Sequence, residues 1–225
     1  MTAAMVVFDM DGVLVDPSRT FRRALIETVR HFCGAEFTQD DIVRIKNEGG
    51  FNDDSHIALQ VIRDAGVVVE DSEVRRFGRD LYWGRNGDGY IRDERWLASD
   101  GLLERLEQTR RLAIFTGRGM ESAMHSLRRF CGGVRFDPII THEQVPNLKP
   151  APDGLLEIAR QAPRSEMVYV GDNVDDQRAA MAAGVRFIGI AAPGTPRYRE
   201  TADLFRRRGA DAVLESVNQI EDVLT

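Results

Sequence analysis

Residues 6–16 read VVFDMDGVLVD, a run of β-forming apolar residues that ends in two aspartates and a glycine. Side chains two residues apart in an extended segment point the same way. We therefore expect Asp9 and Asp11 to converge at the carboxyl end of a strand, which is the edge where open α/β sheets bind ligands. The residue that follows, Gly12, permits a tight backbone turn.

This pair of carboxylates has two interpretations. Close carboxylates repel each other unless a cation or a shared proton compensates. Mg²⁺ would do so, because it prefers oxygen ligands and usually works with a substrate phosphate. Alternatively, the two aspartates are strand-end caps or turn residues, which are common beside glycine. This segment alone leaves both interpretations open.

Three later segments carry related patterns. The run IFTGR at 114–118 is an apolar strand that ends in a hydroxyl residue and glycine, KPAPD at 149–153 places a lysine before a helix start, and VYVGDNVDD at 168–176 ends in glycine and an acidic cluster. Each motif is weak alone. The four in this order resemble the signatures of the haloacid dehalogenase (HAD) superfamily, and the resemblance covers essentially the whole chain.

Strand and helix patterns alternate through most of the chain. Strands are predicted at Met5–Phe8, Leu112–Phe115, Pro138–Ile140, Met167–Val170, Val185–Ile190 and Ala212–Leu214. Helices are predicted at Asp100–Arg110, Met120–Phe130, Pro152–Gln161, Val174–Ala183 and Arg197–Arg208. Short apolar strands between helices are typical of a parallel sheet that is covered on both faces. The pattern predicts a doubly wound α/β fold, and the resemblance implies a HAD Rossmann-like core.

One segment interrupts the alternation. Between residues 17 and 92 only helices are predicted, at Pro17–Phe32, Gln39–Asn47, Asp54–Asp64 and Ser72–Trp83. An all-helical insertion directly after the first strand resembles the C1-type cap of subfamily I HAD phosphatases and phosphomutases. We therefore expect a core domain at 1–16 and 93–225, with a small helical cap domain at 17–92.

The resemblance implies roles for the acidic residues. Asp9 is expected to be the nucleophile that forms an aspartyl-phosphate, and Asp11 the general acid and later the base. The expected metal residues are Asp9, Asp11 (through its backbone carbonyl), Asp172 and Asp176, with Mg²⁺ as the cofactor. Asp176 is also expected to orient Lys149 or a metal-bound water.

Other motif residues are expected to bind the substrate. Thr116 and the amide of Gly117 can donate hydrogen bonds to phosphoryl oxygens, although a threonine at a strand end is also a common cap. Lys149 would stabilise the transferring phosphoryl group, and the KPxPD match favours this over a solvated lysine. In the cap, the expected substrate-binding residues are Gly50, Phe51, Asn52 and Arg85.

The presence of Asp11 favours phosphate chemistry, because haloacid dehalogenases generally lack this second aspartate. We expect a phosphomonoester hydrolase that acts on a small phosphorylated metabolite. Histidinol phosphate, phosphoglycolate and sugar phosphates are candidate substrates, and a phosphomutase of the β-phosphoglucomutase type is the alternative. A catalytically retired HAD binding module would be expected to lose a motif residue, and none is lost.

Composition and net charge limit the kinds of binding partner and the cellular compartment that we expect. The 225 residues carry a net charge of −6, which does not favour a nucleic-acid or anionic-membrane partner. Two cysteines, Cys33 and Cys131, lack metal or disulfide spacing and suit a reducing cytoplasm. No signal peptide or membrane span is predicted. We expect a cytoplasmic monomer or homodimer.

Overall fold

The computed structural model describes residues 4–50 and 54–224. The chain forms two compact units. The core unit runs up to Val15 and resumes at Trp96, and the helical unit is Asp16–Arg95.

The described residues contain strands β1 Met5–Phe8, β2 Val15–Asp16, β3 Arg95–Trp96, β4 Arg111–Phe115, β5 Phe136–Ile140, β6 Met167–Gly171, β7 Arg186–Ile190 and β8 Ala212–Leu214. They also contain helices α1 Phe21–Cys33, α2 Gln39–Glu48, α3 Asp54–Asp64, α4 Asp71–Trp83, α5 Leu102–Glu107, α6 Met120–Cys131, α7 Asp153–Ile158, α8 Val174–Ala183 and α9 Tyr198–Arg207. None of these helices is long and apolar enough to cross a membrane.

Six strands form the sheet of the core unit, in the order β5-β4-β1-β6-β7-β8. All neighbouring pairs in it are parallel. The strand order reverses at β1, so that β4 and β6 lie on either side of it. In register, Phe8 of β1 pairs with Ile114 of β4 and Val170 of β6. The carboxyl ends of three strands therefore meet at the switch point of the sheet, where such folds bind ligands.

Both faces of this sheet are buried. Along β1, Val6 and Phe8 belong to one apolar cluster, whereas Met5 and Val7 belong to another on the opposite face. All four side chains are fully buried. Alternation of this kind requires helices on both faces. The predicted doubly wound α/β class is confirmed.

The helical unit has an apolar core of its own, formed by side chains of α1 to α4. Its buried members include Leu25, Val29, Ile42, Ile57, Ile62 and Val74. A second cluster contains the stacked rings of Phe21 and Tyr82, with centroids 4.0 Å apart. The start of α2 is fixed by Thr38, which forms a capping box with Asp41.

Several bounds differ from the sequence-based predictions; for example, the helix predicted at Pro17–Phe32 is a 3-10 turn at Pro17–Arg19 followed by α1. The strands β2 and β3, which form a separate two-stranded sheet, were not predicted because two residues carry no periodicity. Helix α5 begins at Leu102 rather than at Asp100, since Gly101 adopts a left-handed conformation with φ 77° and ends the preceding turn.

Packing across β7 depends on the absence of a side chain at Gly189. A Cβ there would overlap the ring of Phe205, which is fully buried. We expect Gly189→Ala to lower the free energy of unfolding by about 1–3 kcal/mol, as overpacking does, in urea denaturation. Gly133→Ala is the matched control, because its Cβ would meet nothing within 4 Å. Equal stability of both variants would contradict this packing.

Candidate active site

The polar residues of three of the four motifs directly follow the strands that meet at the switch point. Asp9 comes directly after β1, and its N–H donates to the carbonyl of Val170, at 2.8 Å. Thr116 comes directly after β4 and donates its N–H to Ile140 at 3.0 Å. Asp172 comes directly after β6. The parallel register therefore brings these residues to one edge of the sheet.

Three carboxylates of the core unit lie together at this edge. One oxygen each of Asp9, Asp172 and Asp176 falls within 4.8 Å of the others. Asp9 and Asp176 are buried. Burial raises the pKa of Asp9 to about 7; the charge of Lys149 opposes this shift, and the charges of Asp176 and Asp172 add to it.

Lys149 supplies the compensating positive charge. Its Nζ lies 2.7 Å from Asp176 Oδ1 and 3.1 Å from Asp9 Oδ1, and the ammonium is buried. Burial alone would lower the pKa of Lys149, but the charges of Asp176 and Asp9 outweigh it and raise that pKa. Lys149 is therefore held as a cation beside Asp9.

The sequence analysis missed Tyr169, which lies within β6. Its hydroxyl accepts a hydrogen bond from Lys149 Nζ at 2.8 Å and lies 2.9 Å from Asp176 Oδ1 and 3.0 Å from the carbonyl of Phe115. Burial, followed by the charges of Asp176 and Asp9, raises the pKa of Tyr169 well above its ordinary value. A tyrosine in an otherwise aliphatic strand needs a partner for its hydroxyl when buried, and that is the signal that could have identified it.

Asp176 is occupied on both of its oxygens. Its Oδ1 faces Lys149 and Tyr169, whereas Oδ2 accepts the backbone N–H groups of Asp172 and Asn173, both at 3.1 Å. The contact with the N–H of Asn173 belongs to the capping box that starts α8. The carboxylate thus ties the lysine to the loop that carries Asp172.

The acidic cluster fits a divalent cation. Asp9 Oδ1 is buried and, among the residues the structure describes, receives no hydrogen bond of good geometry, although Lys149 Nζ is near. Gly12 has φ 76°, and a Cβ on it would overlap Asp172 Oδ2, so that only glycine lets the two segments approach. An unsatisfied buried carboxylate oxygen among further carboxylates is the ligand chemistry that hard cations prefer.

Asp11 has a different partner from Asp9. The guanidinium of Arg118 donates to both of its carboxylate oxygens, from Nη2 to Oδ1 at 2.7 Å and from Nε to Oδ2 at 3.0 Å. Arg118 is only 3% exposed. Arg118 lies within the TGR stretch of the second motif, but nothing in the sequence spacing indicates Asp11 as its partner.

The remaining predicted site residues divide between the units. In the core unit, Thr116 is buried and Gly117 is exposed. In the helical unit, Gly50 has φ 90° and is exposed, as is Arg85 after α4. The predicted residues Phe51 and Asn52 lie outside the described residues.

Comparison with known proteins identifies the family. A family model described as haloacid dehalogenase-like hydrolase matches residues 4–184. The pyrophosphatase PpaX of Halalkalibacterium halodurans is 34% identical over 227 residues, which cover 97% of this chain and 95% of that protein. A solved haloacid dehalogenase-like protein of unknown function from Agrobacterium tumefaciens has the same fold, with a TM-score of 0.74 and 22% identity, covering 98% of this chain and 97% of that one.

Another relative is much longer than this chain. The imidazoleglycerol-phosphate dehydratase of Phytophthora nicotianae is 31% identical over 201 residues, which are 84% of this chain and 44% of that protein. The chain thus spans less than half of that relative. The family model covers most of the chain, and the prediction of the superfamily is confirmed. The chain belongs to the haloacid dehalogenase-like hydrolases.

Proposed function

We propose that this chain is a Mg²⁺-dependent phosphomonoester hydrolase that works through an aspartyl-phosphate on Asp9. The observation that carries the proposal is the buried cluster in which Lys149 lies between Asp9 and Asp176 while a third carboxylate, Asp172, stands beside them. Phosphoryl transfer needs an in-line nucleophile and positive charge around the transferring group. The buried carboxylate of Asp9 and the ammonium of Lys149 beside it support the proposal.

In the first step, a carboxylate oxygen of Asp9 attacks phosphorus. The bond from phosphorus to the leaving oxygen breaks, and the leaving oxygen takes a proton from Asp11. Lys149, held by Asp176 and Tyr169, keeps its charge beside the attacked group throughout. Thr116 and the amide of Gly117 are proposed to donate hydrogen bonds to the phosphoryl oxygens.

The metal site is proposed to consist of the Asp9 carboxylate, the Asp11 backbone carbonyl and the Asp172 carboxylate. Bound Mg²⁺ would screen the repulsion between Asp9 and the phosphate and act as a Lewis acid. Asp176 remains a proposed member of this site, and its four close donors favour an indirect part, in which it orients Lys149 and the Asp172 loop.

We propose that the helical unit recognises the leaving group of the substrate. The residues proposed to contact it are Gly50, Phe51, Asn52 and Arg85. The core motifs contact only the phosphoryl group, so they do not choose among substrates. One relative is named a pyrophosphatase, and another is named for imidazoleglycerol phosphate. Both names support a small phosphorylated metabolite as substrate; histidinol phosphate, phosphoglycolate and sugar phosphates are the candidates to screen.

Asp9→Asn tests the nucleophile. The amide keeps the shape but lacks the charge that attacks phosphorus, and we expect kcat for p-nitrophenyl phosphate to fall by about 10³-fold or more. Asp203→Asn is the matched control, because Asp203 is an exposed carboxylate on α9 paired with Arg206. Near-normal turnover by a folded Asp9→Asn protein would refute Asp9 as the nucleophile, whereas no turnover by the wild type would favour a retired binding module.

Metal removal tests the cofactor. Exhaustive EDTA treatment should abolish turnover, and added Mg²⁺ should restore it, since the carboxylates cannot hold a phosphate dianion unaided. Asp172→Asn should raise the Mg²⁺ concentration for half-maximal activity by about 10-fold or more, whereas Asp203→Asn should not change it. Full activity of the metal-free protein would contradict the proposal.

Hydrolysis in water labelled with ¹⁸O separates the hydrolase from the mutase. We expect net release of inorganic phosphate that carries one solvent oxygen, because water attacks the aspartyl-phosphate. Mass spectrometry of the phosphate measures this label. Transfer of the phosphoryl group to a second sugar hydroxyl, with no labelled phosphate released, would identify a mutase instead.

A further inference from the structure

Arg118 is a buried arginine of the core unit that the proposed mechanism does not use. Two nitrogens of its guanidinium, Nε and Nη2, donate to the two carboxylate oxygens of Asp11. The third nitrogen, Nη1, donates to Ser126 Oγ at 2.7 Å. Ser126 is fully buried in α6 and donates in turn to the carbonyl of Ser122 at 3.1 Å. The arginine backbone is fixed as well, because its N–H donates to Thr116 Oγ1 at 3.2 Å.

We propose that Arg118 is a positioning residue that fixes the carboxylate of Asp11 for proton transfer. This inference rests on the proposed function. A planar guanidinium that binds both oxygens of a carboxylate sets its orientation, which a lysine, with a single-point charge, does not do. The guanidinium connects Asp11 to α6 through Ser126, and the backbone N–H of Arg118 connects the same residue to Thr116 after β4. The segments that carry Thr116 therefore also hold the proposed proton-transfer group in place.

The step that depends most on this orientation is breakdown of the aspartyl-phosphate. The oxygen of a water molecule attacks phosphorus, and the bond between phosphorus and the Asp9 oxygen breaks, returning its electron pair to the Asp9 carboxylate. The water proton passes to Asp11. An ionised carboxylate offers about four acceptor positions, so two hydrogen bonds from the guanidinium do not by themselves prevent it from accepting a proton.

Pre-steady-state kinetics with p-nitrophenyl phosphate isolate this step. The p-nitrophenolate leaving group needs no proton, so its release in the first turnover does not depend on Asp11, whereas every later turnover does. In Arg118→Lys we expect a rapid burst of about one p-nitrophenolate per active site, followed by steady-state turnover reduced on the order of 10²-fold. Asp11→Asn should show the same split.

The double variant tests whether both residues act in one step. If Arg118 works through Asp11, then Arg118→Lys in an Asp11→Asn background should add little further loss, which is the non-additivity of coupled sites. Arg105→Lys is the matched control, because Arg105 also forms a fork on a carboxylate, that of Glu221, at an exposed position of the core unit. It should leave both kinetic phases unchanged.

The possible outcomes are distinct. A parallel loss of burst amplitude and turnover in Arg118→Lys, or fully additive losses in the double variant, would overturn the positioning role and indicate a structural one. If Arg118→Lys does not fold, Ser126→Ala serves instead, because it removes only the hydrogen bond from Arg118 Nη1. It must retain the burst and show a smaller reduction in steady-state turnover. Unchanged kinetics of Ser126→Ala would also overturn the positioning role. Absence of turnover by the wild type would refute the proposed function, and the role of Arg118 with it.

Discussion

The site depends on the burial of the Lys149 ammonium between Asp9 and Asp176. Removing one partner of a buried ion pair costs about 3–5 kcal/mol, because it leaves an uncompensated charge without water. Two buried carboxylates face one lysine, with half-buried Asp172 alongside, so negative charge is in excess. This excess, together with burial, places the pKa of Asp9 near 7 and makes a bound cation favourable.

The backbone makes this concentration of charge possible. Parallel pairing of β1 with β4 and β6 fixes which residues reach the edge, and the fully buried strand β1 fixes the pairing. A shift by one residue would turn the apolar residues of β1 to the wrong faces. The same register that fills both apolar clusters therefore sets the position of Asp9.

Much of this arrangement could be predicted from the sequence, because it follows from local patterns. The strands Met5–Phe8 and Ala212–Leu214 and the helices Asp54–Asp64 and Val174–Ala183 have the predicted bounds. The family resemblance predicts that Asp176 lies beside Lys149, and the structure places them 2.7 Å apart. The contacts of Tyr169 with Lys149 and of Arg118 with Asp11 could not be predicted in the same way, because hydrogen bonds between distant segments leave no periodic signal.

The two aspartates after β1 illustrate why those partners matter. They lie two residues apart in the motif and have the same side-chain chemistry, so only their surroundings can give them different roles. Asp9 faces an ammonium, a compact charge that compensates the carboxylate without fixing both oxygens, which suits an oxygen that must attack. Asp11 faces a guanidinium fork that sets the plane of its carboxylate, which suits a group that must exchange a proton in one direction. The difference between lysine and arginine thus separates a proposed nucleophile from a proposed acid and base two residues away.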